Sequence, residues 1–338
     1  MKHEINLENY QIHTDLAIDV IDKKSNLDGV KKSVCVYNDI IVTDVCLSDM
    51  NSLNKQKGDY ITIEFKDITD STNYNKVKKI VIKELKKLFD KMNIKKSNKC
   101  LFIGLGNEAS TPDSLGPKVK KNIIVTSHIY EMGSLDEKYR VVSAISPGVM
   151  GTTGIETKDI IESIVSKIKP DFVIVVDALA SESIDRLNKT IQMTDTGIHP
   201  GSGIGNERQE ISKKTINIPV LAIGVPTVAS AAVIVSDTIN YMYKHYEFNK
   251  EYIKSPKSKL TFNNINYLNK NITINKKEKE KLFGLIGTLN DEEIKTLMME
   301  VLNPIGYNLM VTPKEIDFII DRLSTLIASS LNETLHNL

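Results

Sequence analysis

One stretch restricts this chain more than any other: Cys100 to Pro117, CLFIGLGNEASTPDSLGP. Leu101, Phe102, Ile103 and Leu105 form a short apolar run interrupted by glycine, the pattern of a strand buried on both faces in a parallel sheet. Gly106, Pro112, Gly116 and Pro117 then forbid regular structure, so a polar loop carrying Asp113 has to follow the strand's carboxyl end. Loops in that position hold the ligands of open α/β sheets. A second apolar run, Phe172 to Val176, leads straight into Asp177, which puts two carboxylates at the carboxyl ends of two buried strands.

The surrounding pattern predicts an α/β fold. Strands are expected at Val141–Ile145, Thr190–Thr194 and Val220–Ile223, with helices between them: one opening at Pro117, one striped by Ile160, Ile161, Ile164, Val165 and Ile168, and one over about 228–243. This is a layered domain with a mostly parallel sheet. Upstream, Ser33–Asp44 alternates around Asn38-Asp39 as a hairpin, and Tyr60–Phe65 adds a strand, so a smaller antiparallel β region is expected there. Val77, Val81, Leu85, Leu88, Phe89 and Met92 mark a helix. Two C-terminal helices are expected, striped by Ile294, Leu297, Met298 and Val301, and by Ile316, Phe318, Ile319, Leu323 and Ile327. About 70–245 reads as the main core, 249–281 as a Lys- and Asn-rich insertion or linker, and 282–338 as the C-terminal helices. The first 26 residues read as an exposed arm.

Composition excludes some partners. Lys and Arg number 44 against 43 Asp and Glu, which leaves no bulk charge to draw the chain onto nucleic acid or a membrane surface. No apolar run reaches membrane-spanning length, and MKHEINLENY lacks the apolar centre of a signal peptide. The three cysteines, Cys35, Cys46 and Cys100, have no metal-type spacing and point to reduced thiols in a cytoplasmic compartment.

Among the motifs, Gly104-x-Gly106-x-x-Ala109 superficially matches a dinucleotide fingerprint. Pro112, Gly116 and Pro117 break the helix that should begin there, and the next strand ends in Ser146-Pro147-Gly148 where a ribose-binding acid belongs. The acidic pair is the stronger candidate. An Asp in a Pro- and Gly-rich loop is often only a turn former, but an acid that ends Phe-Val-Ile-Val-Val is desolvated and needs a partner. Two such carboxylates either share a proton as acid and base or bind a divalent metal, and His199 would complete a three-ligand site. Three readings of the residues therefore stand together: an acid–base hydrolase, a metal-dependent hydrolase or maturation protease using Asp113, Asp177 and His199, and a nucleotide- or peptide-binding module without catalysis.

Five long motifs in order, Gly104–Pro117, Ser143–Thr157, Val175–Ser181, Asp195–Ser212 and Asn308–Asp317, resemble the germination protease (spore protease) family of endospore-forming bacteria. The resemblance implies a self-processing zymogen and endopeptidase that degrades small acid-soluble spore proteins in the spore core. It also implies a fold similar to hydrogenase maturation proteases, a homotetramer, no cofactor and no catalytic metal. Asp113 and Asp177 match the family's catalytic TPD and DAL motifs. Asn107, Glu156, His199 and Arg208 are further candidates for binding substrate or supporting the site. Family substrates are cut after an acid that precedes a large apolar residue and Ala. Asp15-Leu16-Ala17 fits, which makes 1–15 a propeptide cut between Asp15 and Leu16, and 16–338 the peptidase unit. Ser181-Glu182 departs from the family's pattern of a small residue followed by Arg, which bears on the charge near the substrate groove.

Overall fold

The alternation in the first third of the chain produces a meander. The computed structural model describes residues 14–23, 27–53, 55–201, 209–254, 276–302 and 309–336. Strands β1 (Val30–Tyr37) and β2 (Ile40–Leu47) pair antiparallel with Tyr37 opposite Ile40. Asn38 makes the turn at φ 55°, a left-handed conformation that asparagine tolerates. Strand β3 (Gly58–Glu64) pairs with β2, and β7 (Thr190–Thr194) pairs antiparallel with β3.

The apolar runs form the other side of the same sheet. Strand β4 (Cys100–Gly104) is buried throughout and pairs parallel with β5 (Val142–Ile145) on one side and β6 (Phe172–Ser181) on the other. With β8 (Val220–Ser230), the order is β1-β2-β3-β7-β8-β6-β4-β5. The predicted α/β class is what the structure shows. The antiparallel strands, however, are no separate region, because β7 and β8 join them to the parallel set.

Two strands run past their expected ends. β6 continues through Asp177 to Ser181, and β8 passes through Gly224 to Ser230. Glycine in a strand reads as a stop, but a Cβ at Gly224 would lie 2.3 Å from a Leu179 methyl. Gly224 thus makes room for a side chain of β6.

The helix Ser71–Lys91 is capped by Asp70, whose carboxylate accepts the Asn73 N–H at 2.7 Å, and buries Val77, Val81, Leu85, Leu88 and Phe89. Their neighbours in the core include Ile320, Leu323, Leu326, Ile327 and Leu331 of the helix Ile316–Leu335. Phe318, expected in that helix's apolar stripe, is instead 54% exposed. The start of the chain also departs from expectation. Far from an exposed arm, residues 14–23 bury Leu16, Ala17, Ile18 and Ile21, and Ala17–Lys23 is a helix. Ala17 and Ile21 pack with Val45, Leu47, Leu53 and Tyr60. Each large side chain so buried contributes roughly 1.5–3 kcal/mol. A two-turn helix has too few positions to show periodicity in sequence.

By backbone contacts the chain forms two units, one built from 14–181, 185–228 and 312–336, the other from 182–184 and 229–311. In the second, Ala229 and Ser230 at the end of β8 pair with β9 (Met310–Val311). The helix expected to stop near 243 runs from Ala231 to Lys254, and Ile239 and Tyr243 pack with Ile294 of the helix Asp291–Leu302. Val301, expected on the apolar stripe there, is exposed. Of the predicted linker 249–281, residues 249–254 belong to the long helix and 276–281 to the helix Lys276–Phe283, while 255–275 lie outside the described residues.

One buried group ties the first unit to pH. His336 is buried; its Nδ1 accepts the Arg140 backbone N–H at 3.1 Å, which leaves the ring proton on Nε2, 3.3 Å from the Ile124 carbonyl. Burial lowers its pKa; the Ile124 carbonyl opposes this, and the Arg140 charge adds to it. A depressed folded pKa gives stability that is present above the unfolded value and lost on acidification. The melting temperature should therefore begin to fall below about pH 6.5. His336→Gln, which keeps one acceptor and one donor, should flatten that part of the profile.

Candidate active site

The glycines of the central loop answer to backbone packing. Leu105 N donates to the Val176 carbonyl at 2.8 Å, which extends the β4–β6 ladder by one step. A Cβ on Gly116 would lie 2.2 Å from the Leu105 carbonyl oxygen and 2.5 Å from that of Val176. The helix Leu115–Asn122 therefore starts directly against the backbones of β4 and β6. The space beside Gly104 and Gly106 is filled by the backbone of Gly116 and Asp113, where a dinucleotide fingerprint would admit a pyrophosphate. Gly116→Ala meets only backbone, which cannot swing aside. It should destabilise the protein by at least about 1–3 kcal/mol, read from its denaturant midpoint.

The same packing sets both acids beside the β4–β6 pairing. Gly106 sits at φ 112°, and a Cβ there would fall 2.0 Å from the Asp113 carbonyl oxygen and 3.1 Å from Asp113 Oδ1. The turn Thr111–Asp113 folds back so that the Asn107 N–H donates to Asp113 Oδ2 at 2.8 Å. Asp177 directly follows Val176, the strand partner of Gly104, and its Oδ1 accepts the Ala178 N–H at 2.9 Å. It is 5% exposed, whereas Asp113 is half-buried. One acid is thus embedded in a strand and the other is held on a turn by a backbone donor.

The other predicted residues divide. Asn107 belongs to the site: its backbone N–H holds Asp113, and its side chain accepts the Ala109 N–H at 3.0 Å. Glu156 precedes the helix Thr157–Ile168, where its carbonyl accepts the Asp159 and Ile160 N–H groups and its side chain makes no capping bond. His199 stands with Glu210, Nε2 to Oε2 3.6 Å. Burial alone would raise the Glu210 carboxyl, but hydrogen bonds from Ser212 and Gln56 and the charges of His199 and Lys214 outweigh it and hold the group below its ordinary value. The three-ligand set of Asp113, Asp177 and His199 is not assembled: among the described residues, no three His, Cys, Asp or Glu side chains gather as a metal-ligating group. Arg208 lies outside the described residues.

Asp15 and Leu16 are held by a clasp that the sequence did not announce. Asp15 N donates to the Ala180 carbonyl at 3.4 Å, and Ala180 N donates to Asp15 Oδ2 at 3.0 Å. The Gln192 side chain spans the Asp15–Leu16 bond, donating from Nε2 to the Asp15 carbonyl at 3.2 Å and accepting the Ala17 N–H on Oε1 at 2.7 Å. Leu16 packs on Leu179 of β6, two positions beyond Asp177. A cavity of about 320 Å³ opens beside Asp15, lined in part by Thr14, Tyr60, Gln192, Thr196 and His199. Gln192 had one legible sign, an amide in the middle of the buried strand TIQMT. At the departure after DALA, Ser181 donates to Asp19, and the buried Glu182 carboxylate lies 3.5 Å from Lys295 Nζ.

The fold is a mixed α/β sheet that carries two acids beside its β4–β6 parallel pairing. The family described as Germination protease matches residues 6–338. The germination protease of Geobacillus sp. (strain WCH70) is 44% identical, with 99% of this chain and 96% of that protein covered. That of Bacillus thuringiensis subsp. konkukian (strain 97-27) is 43% identical, covering 100% and 97%. Among solved structures, the NiFe hydrogenase maturation protease HycI from Thermococcus kodakarensis is similar over 42% of this chain and 80% of its own, at 16% identity and a TM-score of 0.28. The chain belongs to the germination protease family, and it is a protease of spore germination.

Proposed function

We propose that this chain is a self-processing endopeptidase that degrades small acid-soluble spore proteins, with Asp113 and Asp177 as an atypical aspartic pair. The observation that carries this reading is the placement of Asp113 on the turn after β4 and of Asp177 directly after Val176, the last β6 residue of the β4–β6 parallel pairing, each carboxylate accepting a backbone N–H. One carboxylate, ionised, takes a proton from water as it attacks the peptide carbonyl; the other, protonated, gives its proton to the departing nitrogen. No bound ion enters that balance. Family membership removes the reading as a non-catalytic binding module. Action in the spore core and assembly as a homotetramer belong to the same proposal. Among the described residues, no helix is long and apolar enough to cross a membrane.

Self-processing at Asp15–Leu16 is the accessible test. The pair needs one proton, so mild acid should promote the cut. Protein incubated at mildly acidic pH should gain a new N-terminus at Leu16, and Asp177→Asn should not. Thorough dialysis against a chelator should leave the conversion intact. A loss restored by a divalent ion would favour the metal-dependent reading, and a cut at another bond would remove Asp15-Leu16-Ala17 as the built-in substrate.

A further inference from the structure

Asp19 is a buried carboxylate at the centre of a charged cluster. Arg186 Nη1 lies 2.5 Å from its Oδ1, Arg186 Nε lies 2.9 Å from Glu64 Oε1, and Ser181 Oγ donates to Asp19 Oδ2 at 3.1 Å. Arg186 bridges two carboxylates, and the Asp19 side chain is only 2% exposed. Thr14 is a further partner of Asp19. Its hydroxyl donates to Asp19 Oδ2 at 2.7 Å and accepts the Leu16 N–H at 3.2 Å, so one hydroxyl separates the Leu16 nitrogen from the carboxylate.

Hydrolysis of the Asp15–Leu16 bond adds one water. Asp15 keeps the oxygen as a new carboxylate, and the Leu16 nitrogen becomes an ammonium. Departure of the first 15 residues removes the bridging hydroxyl, so Asp19 Oδ2 loses a donor where the new cation appears. Ala17 N, bound to Gln192, and the buried Leu16 side chain keep that end of the chain in place. A buried ammonium is costly unless paired. Resting on the reading that this bond is the one cut, we propose that Asp19 is the binding site for the chain's own new α-amino group at Leu16. Ser181 joins the same carboxylate to the end of β6, four positions beyond Asp177.

The test uses the processed chain made directly, with Leu16 first after removal of a fused leader; it keeps every strand and helix described above. It is compared with the same chain carrying one extra glycine before Leu16, and with Asp19→Asn. Among the described residues, the charged groups around the amine include Asp19, Arg186 and Glu64. Pairing raises the amine's pKa above its ordinary value of about 8, so the stabilisation is present below that value and lost as pH rises through the raised one. At neutral pH the Leu16 chain should melt roughly 2–4 °C above the glycine-extended one, and the gap should close in alkali. Its amine should also be acylated about tenfold more slowly near pH 8. Asp19→Asn should erase both differences. Equal melting and labelling of the two chains, or differences that persist in Asp19→Asn, would overturn the proposal. Absence of a cut at Asp15–Leu16 in the full-length chain would instead remove the maturation reading, and the directly made chain would still decide the amine's partner.

Discussion

Asp177→Asn is expected to reduce peptide-bond hydrolysis by about 100- to 10,000-fold while leaving the circular dichroism spectrum and melting temperature close to those of the parent. The amide has the same shape and retains an oxygen for the Ala178 N–H, which now meets Oδ1 at 2.9 Å, so the strand has no reason to move. What is lost is the ability to hold or pass a proton. Asp113→Asn should behave in the same way, because its oxygen still meets the Asn107 N–H. Under the proposed mechanism the two acids act as one unit, so the double variant should be little worse than either single one. Measurement of kcat/KM on an acidic-apolar-alanine peptide decides this. Full activity in either single variant would remove that residue from the mechanism, and losses that multiply in the double variant would mean that the acids act independently.

Arg186→Ala is expected to cost about 3–5 kcal/mol, the typical penalty for removing one partner of a buried ion pair. The guanidinium spans Asp19 Oδ1 at 2.5 Å and Glu64 Oε1 at 2.9 Å. Glu64 retains some access to water, while Asp19 is buried and keeps its hydrogen bonds from Ser181 and Thr14 but loses the charge of Arg186. The loss should appear as a lower urea midpoint at an unchanged slope. Arg186→Lys should recover only part of it, since a single ammonium cannot reproduce the two-pronged geometry. Because Asp19 also holds Thr14, the alanine variant should expose the Asp15–Leu16 segment to added proteases at concentrations that leave the parent intact. An unchanged midpoint would show that the cluster contributes nothing to stability.

The strands β4, β5 and β7 and the helix Ser71–Lys91 were legible because each carries its own local signal: a short apolar run bounded by turn residues, or apolar positions at helical spacing beside lysines. Asp113 and Asp177 were legible for a related reason, since an acid at the end of an apolar run contradicts its surroundings and so marks itself. Where local signals misled, a distant segment supplied the missing term. Gly224 reads as a break until Leu179 is seen to fill the space above it, and Leu16 reads as part of a polar arm until Leu179 and Ile198 cover it.

The sequence by itself determined the α/β class, the polar loop after β4 and the motif order that marks the family, because strand burial, loop chemistry and motif spacing are properties of neighbouring residues. Only the tertiary structure decided that Gln192 clasps the Asp15–Leu16 bond from 177 positions away in the chain and that Arg186 joins Asp19 to Glu64. Such partners meet when separate strands and helices pack on one sheet, and their geometry exists only once the chain between them has folded.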